Sequence, residues 1–326
     1  MTQETVFLTG ATGFVGRHVL DALLERGYHV RALVRDGAPR TPSADCEPVR
    51  GDLAAPGALV PFLRGSRFVV HTAAVYSFAP RDRRLLQTIN VQGTTGLLEA
   101  ARIAGVERAV VTSSSAAVGP ARGGRPADED DWAESRHGAT TYHASKLLQE
   151  RAALAARIPV TTVLPTAPIG RGDGRPTPTG RMVVDVIRGR MPAFLGGGMN
   201  VVDVTDVARA HVLALERGRP RERYIAGGID LTLAELFQLI ARAAGRRAPR
   251  LRIPFSVAFA IAAVDQARSR FSGGEPAVPL EGVRMGGRQM FASSAKAVRE
   301  LGYQPGPIEP AIDDAVRWYR EHGYAA

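Results

Sequence analysis

Residues 5–20 read TVFLTGATGFVGRHVL. Val6, Phe7 and Leu8 form a short apolar run of the kind that makes a fully buried parallel strand, and Thr9 and Gly10 end it abruptly. A helix follows at once. Its apolar residues Phe14, Val15, Val19, Leu20, Leu23 and Leu24 recur at three- and four-residue spacing up to Gly27, which suits the left-handed position beyond a helix end. Gly10, Gly13 and Gly16 stand at the junction. Gly10 allows the tight turn, Gly13 lets backbone amides approach a diphosphate without a side chain in the way, and Gly16 lets the helix lie close on the strand. The unpaired amides and partial positive charge of a helix N-terminus favour an anion. Strand, glycines and helix in this order predict a dinucleotide site.

Working outward, 326 residues suffice for one large domain or two smaller ones, and 45% hydrophobic with 23% charged residues is ordinary for a soluble globular chain. No basic-then-apolar leader precedes the first strand, and no apolar run approaches the roughly 20 residues of a membrane span. The expectation is a soluble cytoplasmic protein with no integral membrane segment. The single Cys46 excludes an intrachain disulfide. The net charge of +10 comes from arginines scattered along the chain, with no dense basic run interleaved with aromatics, which argues against a nucleic-acid partner. Lys146 and Lys296 are the only lysines. In a chain that uses arginine almost everywhere, a retained lysine draws notice, because arginine cannot imitate its compact, tunable ammonium.

The second strand, Tyr28 to Val34, runs into Arg35, with Arg31 earlier and Asp36 just after. The end of this strand meets the adenosine ribose in dinucleotide folds, where an arginine favours a 2′-phosphate and an acid a 2′-hydroxyl. The expected cofactor is therefore NADP(H) rather than NAD(H). Further strands are expected at Cys46–Arg50, Phe68–His71 and Ala109–Thr112, with a helix from about Arg83 to Ala104 that carries Asn90. Short apolar strands alternating with helices specify an α/β fold, a doubly wound parallel sheet covered on both faces. The fifth strand ends in Thr112-Ser113-Ser114-Ser115, hydroxyls at the sheet edge where such folds bind ligands. The stretch from Gly119 to Thr141, acidic at Asp128 to Asp131, is expected to be a flexible surface loop or a border of the substrate opening.

Tyr142-His143-Ala144-Ser145-Lys146 opens the next helix. The spacing puts Tyr142 and Lys146 on one face, one turn apart. A phenol ordinarily titrates near ~10, poorly matched to proton transfer at neutral pH, and a neighbouring ammonium lowers that value.

The set TGATGFVG at 9–16, GDL at 51–53, HTAA at 71–74, NVQGT at 90–94, TSSS at 112–115 and YHASK at 142–146 resembles the extended short-chain dehydrogenase/reductase family. VRALVR at 30–35 is similar to its dihydroflavonol reductase-like branch, and LPTAPIG at 164–170, the stretch 175–194 and MFASSAKAVRELGYQP at 290–305 resemble hopanoid-associated sugar epimerases. The resemblance implies a Rossmann sheet with a smaller, mainly helical C-terminal substrate-binding part, and a homodimer through the long helices. It implies Tyr142 as general acid/base, Lys146 as the group that lowers its pKa and holds the nicotinamide ribose, and Ser114 as the carbonyl partner, with Ser115 the neighbouring alternative. Gly10, Thr12, Gly13, Phe14, Val15 and Gly16 would line the diphosphate, and Arg35 would meet the 2′-phosphate. Asp52 and Leu53 would flank the adenine, and Thr72, Ala73, Ala74 and Pro165 the nicotinamide side. Dihydroflavonol reductases carry an asparagine where this chain has Gly119, which argues against a flavonoid substrate. Asp203 replaces a histidine found in many relatives of the 203–208 segment.

From Ala167 the regular alternation breaks. The expected order is a loop at 171–180, a short helix at 181–188, a turn at Gly196-Gly197-Gly198, a helix from Val204 to Glu216 and a strand at Tyr224–Ala226. A helical cap then starts at Leu231. This predicts interleaved units, 1–166 with about 201–227 for the cofactor and about 167–200 with 228–326 for the substrate. Ile253 to Ala263, the most apolar stretch, is expected to be a buried cap helix, with the wall of a pocket for a greasy substrate or a contact with a membrane surface as the alternatives. The last helix, Pro310 to His322, is expected to pack on the cap through Ile312, Ala315, Val316 and Tyr319. The seven histidines show no metal-ligand spacing. The functional expectation is a carbonyl reductase or the reverse alcohol dehydrogenase. A sugar-nucleotide epimerase with a tightly held cofactor, and a non-catalytic NADP-binding sensor, are the alternatives.

Overall fold

The computed structural model describes residues 3–35, 43–77, 80–119, 124–134, 141–272, 283 and 286–324. The opening stretch divides as its residues dictate into strand β1 (Thr5–Thr9) and helix α1 (Phe14–Glu25). Next come β2 (His29–Val34), β3 (Glu47–Arg50), the short helix α2 (Val60–Leu63) and β4 (Phe68–His71). Helices α3 (Arg83–Leu86) and α4 (Thr94–Ile103) are joined without a break by a π-helical stretch, Gln87–Gly93, and lead to β5 (Arg108–Thr112). Then follow α5 (Thr141–Leu154) and β6 (Val160–Pro165).

These strands and a later one, β10 (Arg223–Ala226), form a seven-stranded parallel sheet in the order β3-β2-β1-β4-β5-β6-β10. Parallel pairing puts every strand's carboxyl end on one edge, and the order reverses direction between β1 and β4, the place where such sheets bind ligands. Burial on both faces explains the unbroken apolar runs. Along β1, Val6 and Leu8 face one core with Val19, Leu20 and Leu23 of α1, while Phe7 faces another with Leu97, Leu98 and Ala101 of α4. Each such side chain, removed from water, contributes roughly 1.5–3 kcal/mol.

Beyond β6 the chain forms β7 (Ala167–Ile169), α6 (Pro178–Ile187), β8 (Ala193–Phe194), β9 (Gly198–Asp203), α7 (Val204–Arg217), β10 (Arg223–Ala226) and β11 (Ile229–Thr232). The sequence predicts a mainly helical part here, but β7, β9, β11 and β13 (Gln289–Met290) make a second sheet. Strands this short carry too few alternations to stand out. Gly198, read from the sequence as part of a turn, instead begins β9, paired with Thr232, and it is glycine because a Cβ there would lie 2.6 Å from the Phe291 ring and 2.8 Å from the Leu231 carbonyl oxygen. Alternation makes β9 face both ways: Val201 joins a core with Leu236, Phe237 and Ile312, and Val202 joins the core of α1 and α7.

Helix α8 (Leu233–Ala243) starts at a capping box in which Thr232 and Glu235 satisfy each other's backbone amides. After the two-residue strand β12 (Leu251–Arg252) comes α9 (Phe255–Ser272). The expectation of a buried helix at 253–263 fails. Only the small residues Ala258, Ala262 and Ser269 turn inward and are buried, while Val257, Ala260, Ile261 and Val264 face outward. Hydrophobicity alone could not say which face is covered. The helix Ala295–Leu301 returns to the first core through Ala297 and Leu301, and the last helix, Glu309–Glu321, buries Ile312, Ala315, Val316 and Tyr319 as its periodicity requires.

Of the stretch 119–141, residues 119, 124–134 and 141 are described, and 124–134 are anchored rather than loose. Val118 bridges Trp132, Ala127 bridges Ala292, and the Glu129 carboxylate accepts the Ile225 amide at 2.8 Å. Arg223 pairs with buried Glu150 at 3.1 Å and stacks on the Trp132 ring at 3.5 Å.

Candidate active site

The glycine turn has the geometry its spacing predicts. Gly10 has φ 83°, in the left-handed region, and the Gly13 amide donates to the Gly10 carbonyl at 2.9 Å. A Cβ on Gly16 would sit 2.0 Å from the Gly10 carbonyl oxygen and 2.5 Å from Thr72 Oγ1, so α1 lies directly on the turn and on the end of β4. Helix α1 begins at Gly13 with no side-chain cap and no acidic residue in its first turn. Its first amides and the positive end of its dipole are therefore left for an anion. Thr12 and Gly13 are exposed and Phe14 and Val15 half-buried, so this surface is reachable. These residues fit a dinucleotide.

The other expected cofactor residues follow the ends of neighbouring strands. Arg35 is exposed after β2, and its carbonyl accepts from the Arg50 guanidinium at 3.0 Å. Arg31 is occupied elsewhere, with Glu47 at 2.9 Å and the Arg64 carbonyl at 2.8 Å, and Asp36 lies outside the described residues. Asp52 turns its carboxylate back onto the Ala54 amide at 2.9 Å, and Leu53 is buried. Thr72 donates to the Thr9 carbonyl at 2.7 Å, with Ala73 and Ala74 following along the same edge. Pro165 ends β6, buried beside Ala226.

Tyr142 and Ser114 come together across the sheet edge. Ser114 is extended and caps the short 3₁₀ turn Ser115–Ala117, its Oγ accepting the Ala116 amide at 3.1 Å. The Tyr142 hydroxyl has Ser114 as a side-chain hydrogen-bond partner. Burial pushes the Tyr142 phenol up to about 12, and the Ser114 hydrogen bond pulls the other way. Burial likewise lowers the Lys146 ammonium to about 8, opposed by Glu150. Lys146 reaches two acceptors. Its ammonium donates to the Thr112 carbonyl at 2.8 Å and to Gln149 Oε1 at 2.5 Å. The other lysine, Lys296, pairs with Glu222 at 2.6 Å, away from this edge.

Further residues that sequence reasoning did not assign to the site surround it. The Tyr76 ring lies against Tyr142, centroids 4.4 Å apart. Asn90, on the π-helical stretch, clamps the Val75 backbone, accepting its amide at 2.7 Å and donating to its carbonyl at 3.0 Å, and also donates to Ser145 Oγ at 3.2 Å. A π-helical turn of this kind is frequent at functional sites. His71 and Gln149 join through Thr94. Thr94 must donate to the Asn90 carbonyl, 2.7 Å away, so it accepts from Gln149 Nε2 at 2.9 Å and from His71 Nε2 at 2.7 Å. Burial and the Lys146 charge hold His71 at about 3, so it is neutral and its Nδ1 accepts from Thr9 Oγ1 at 2.6 Å. The chain Thr9-His71-Thr94-Gln149-Lys146 thus links the strand that feeds the glycine turn to the ammonium. No sequence spacing announces it, because its members come from different elements. No group of His, Cys, Asp and Glu that could hold a metal occurs among the described residues.

Residues 6–227 match the NAD dependent epimerase/dehydratase family. A protein of Synechocystis sp. provisionally named dihydroflavonol 4-reductase is 38% identical over 330 residues, covering 98% of this chain and 96% of its own. Sterol demethylase protein B of Methylococcus capsulatus is 34% identical over 327 residues, covering 98% and 99%. The crystal structure of gox2253 superposes with a TM-score of 0.86 at 39% identity, covering 99% of this chain and all of its own. Fold, glycine turn and sequence likeness agree, and the chain belongs to the NAD-dependent epimerase/dehydratase family of the extended short-chain dehydrogenase/reductase type.

Proposed function

We propose that this protein is an NADP(H)-dependent oxidoreductase that reduces a ketone or aldehyde, or oxidises the matching alcohol, at Ser114, Tyr142 and Lys146. The observation that carries the reading is the Ser114–Tyr142 hydrogen bond at the carboxyl edge of the sheet, with a buried lysine one helical turn behind it. Gly10, Thr12, Gly13, Phe14, Val15 and Gly16 would hold the diphosphate, Arg35 the 2′-phosphate, Asp52 and Leu53 the adenine side, and Thr72, Ala73, Ala74 and Pro165 the nicotinamide side. The cofactor, when bound, supplies or accepts hydride. Ser114 and Tyr142 hydrogen-bond the substrate oxygen, Tyr142 gives up or takes the proton there, and Lys146 holds positive charge behind the phenol. In this reading residues 1–166 with about 201–227 form the cofactor side and about 167–200 with 228–326 the substrate side, with 295–303 returning to the first core.

Likeness to a protein named for sterol demethylation makes polycyclic ketones the first members of a substrate panel. With such a panel, the expected result is net NADPH oxidation that falls by about 10²–10⁴-fold in Tyr142→Phe while nucleotide binding is kept. Arg35→Ala should weaken NADPH binding more than NADH binding. Full turnover in Tyr142→Phe would reject the reading. Interconversion of a sugar nucleotide without net NADPH use would favour the epimerases that the family also contains.

A further inference from the structure

We propose that α9 and the loop before it dock this protein on an anionic lipid surface. The outward face of α9 is apolar: Val257, Ala260, Ile261 and Val264 lie on one side of the helix, with Ile261 50% and Val264 71% exposed, and Leu251 just upstream is 63% exposed. This is the reverse of an ordinary surface helix, whose apolar side turns inward. From Leu236 to Val264 the chain carries five arginines, Arg242, Arg246, Arg247, Arg250 and Arg252, and no carboxylate. Among the described residues none of these arginines makes an ion pair. Arg247 and Arg250 line an open cavity of about 220 Å³ with Val186, Met191 and Pro192.

The charge selects the occupant. A second copy would bring the same uncompensated arginines up against this surface, and like charges would meet. A bilayer with acidic headgroups offers the opposite sign beside the apolar boundary into which Val257, Ile261 and Val264 would sink. No helix among the described residues is long and apolar enough to cross a membrane, so the contact is peripheral. The inference stands apart from the catalytic reading, since α9 contributes no residue to the Ser114–Tyr142 pair.

The test is co-sedimentation of the full chain with phosphatidylcholine vesicles, with and without half phosphatidylglycerol. The expected result is binding to the acidic vesicles, weakened by salt and reduced about tenfold or more by Ile261→Ser with Val264→Ser, and separately by Arg247→Ser with Arg250→Ser. A second variant, Val264→Cys, labelled at the introduced thiol with a polarity-sensitive dye, should shift its emission to the blue on acidic vesicles. Cys46, only 7% exposed, is shielded from the label. Failure of the native protein to bind acidic vesicles, binding indifferent to both pairs of substitutions, or an unshifted dye would each overturn the proposal. So would a dimer in solution that Ile261→Ser with Val264→Ser dissociates while vesicles go unbound.

Discussion

Gln149 Oε1 receives a hydrogen bond of 2.5 Å from the Lys146 ammonium, and both side chains are almost wholly buried. A buried cation that loses an acceptor costs about 1–3 kcal/mol. Gln149→Leu should therefore destabilise the fold by that order and lower turnover about tenfold by loosening Lys146. A merely structural role would leave the pH profile alone. The expected profile of kcat/KM instead has its basic limb displaced to lower pH.

The native basic limb should itself fall near pH 8, where the Lys146 ammonium is lost in the free enzyme. Stability moves the other way. Burial takes Lys146 from its ordinary 10.5 to about 8, so the cost of the buried charge is fully present below pH 8 and is relieved between about 8 and 10.5. That relief is on the order of 3 kcal/mol. Tyr142, raised from 10.0 to about 12, opposes it only above pH 10, where its stabilising contribution begins to be lost. Denaturant midpoints should rise from pH 8 to 10, and the rise should be missing in Lys146→Met.

At the acid end two neutral imidazoles decide. Burial lowers His71 to about 3 and His211 to about 4, from 6.5. His211 donates from Nδ1 to the Val207 carbonyl at 2.7 Å and accepts from Thr112 Oγ1 at 2.7 Å, so its neutral form is built into the fold. The unfolded imidazoles take protons first. The stability they contribute is complete above about pH 6.5 and drains away as pH falls, by about 1.4 kcal/mol per unit for each residue. Urea unfolding between pH 7 and 5 should show this slope, and His211→Asn should flatten it.

Gly13 and Gly16 should separate binding from stability. Gly16→Ala drives a Cβ to 2.0 Å from the Gly10 carbonyl and should destabilise the protein by about 2–4 kcal/mol. At Gly13 the nearest atom to an added Cβ is the Gly10 oxygen at 3.2 Å. Gly13→Ala should leave the melting temperature close to native and weaken nucleotide binding measured by titration.

The parallel sheet was legible because its inner strands are buried on both faces and read as apolar runs between turn residues, as at Phe68–His71, whereas the edge strand Glu47–Arg50 is mostly exposed. The placing of Tyr142 and Lys146 one turn apart on a helix, and of a serine run at a strand end, was legible because both are local patterns, while the choice between Ser114 and Ser115 within that run was not. Gln149, His71 and Tyr76 were not, since what joins them to the site is an encounter between distant elements. The face of α9 was misread for a related reason. An apolar helix reports that it avoids water, not which neighbour it meets.

Strand β9 shows Val201 to one hydrophobic interior and Val202 to the other. Peeling it away would strip both at once, so neither half of the molecule can melt while its companion stays solid. Calorimetry should find a single heat-absorption peak, and a polypeptide cut within β9 should yield two insoluble pieces rather than two working ones.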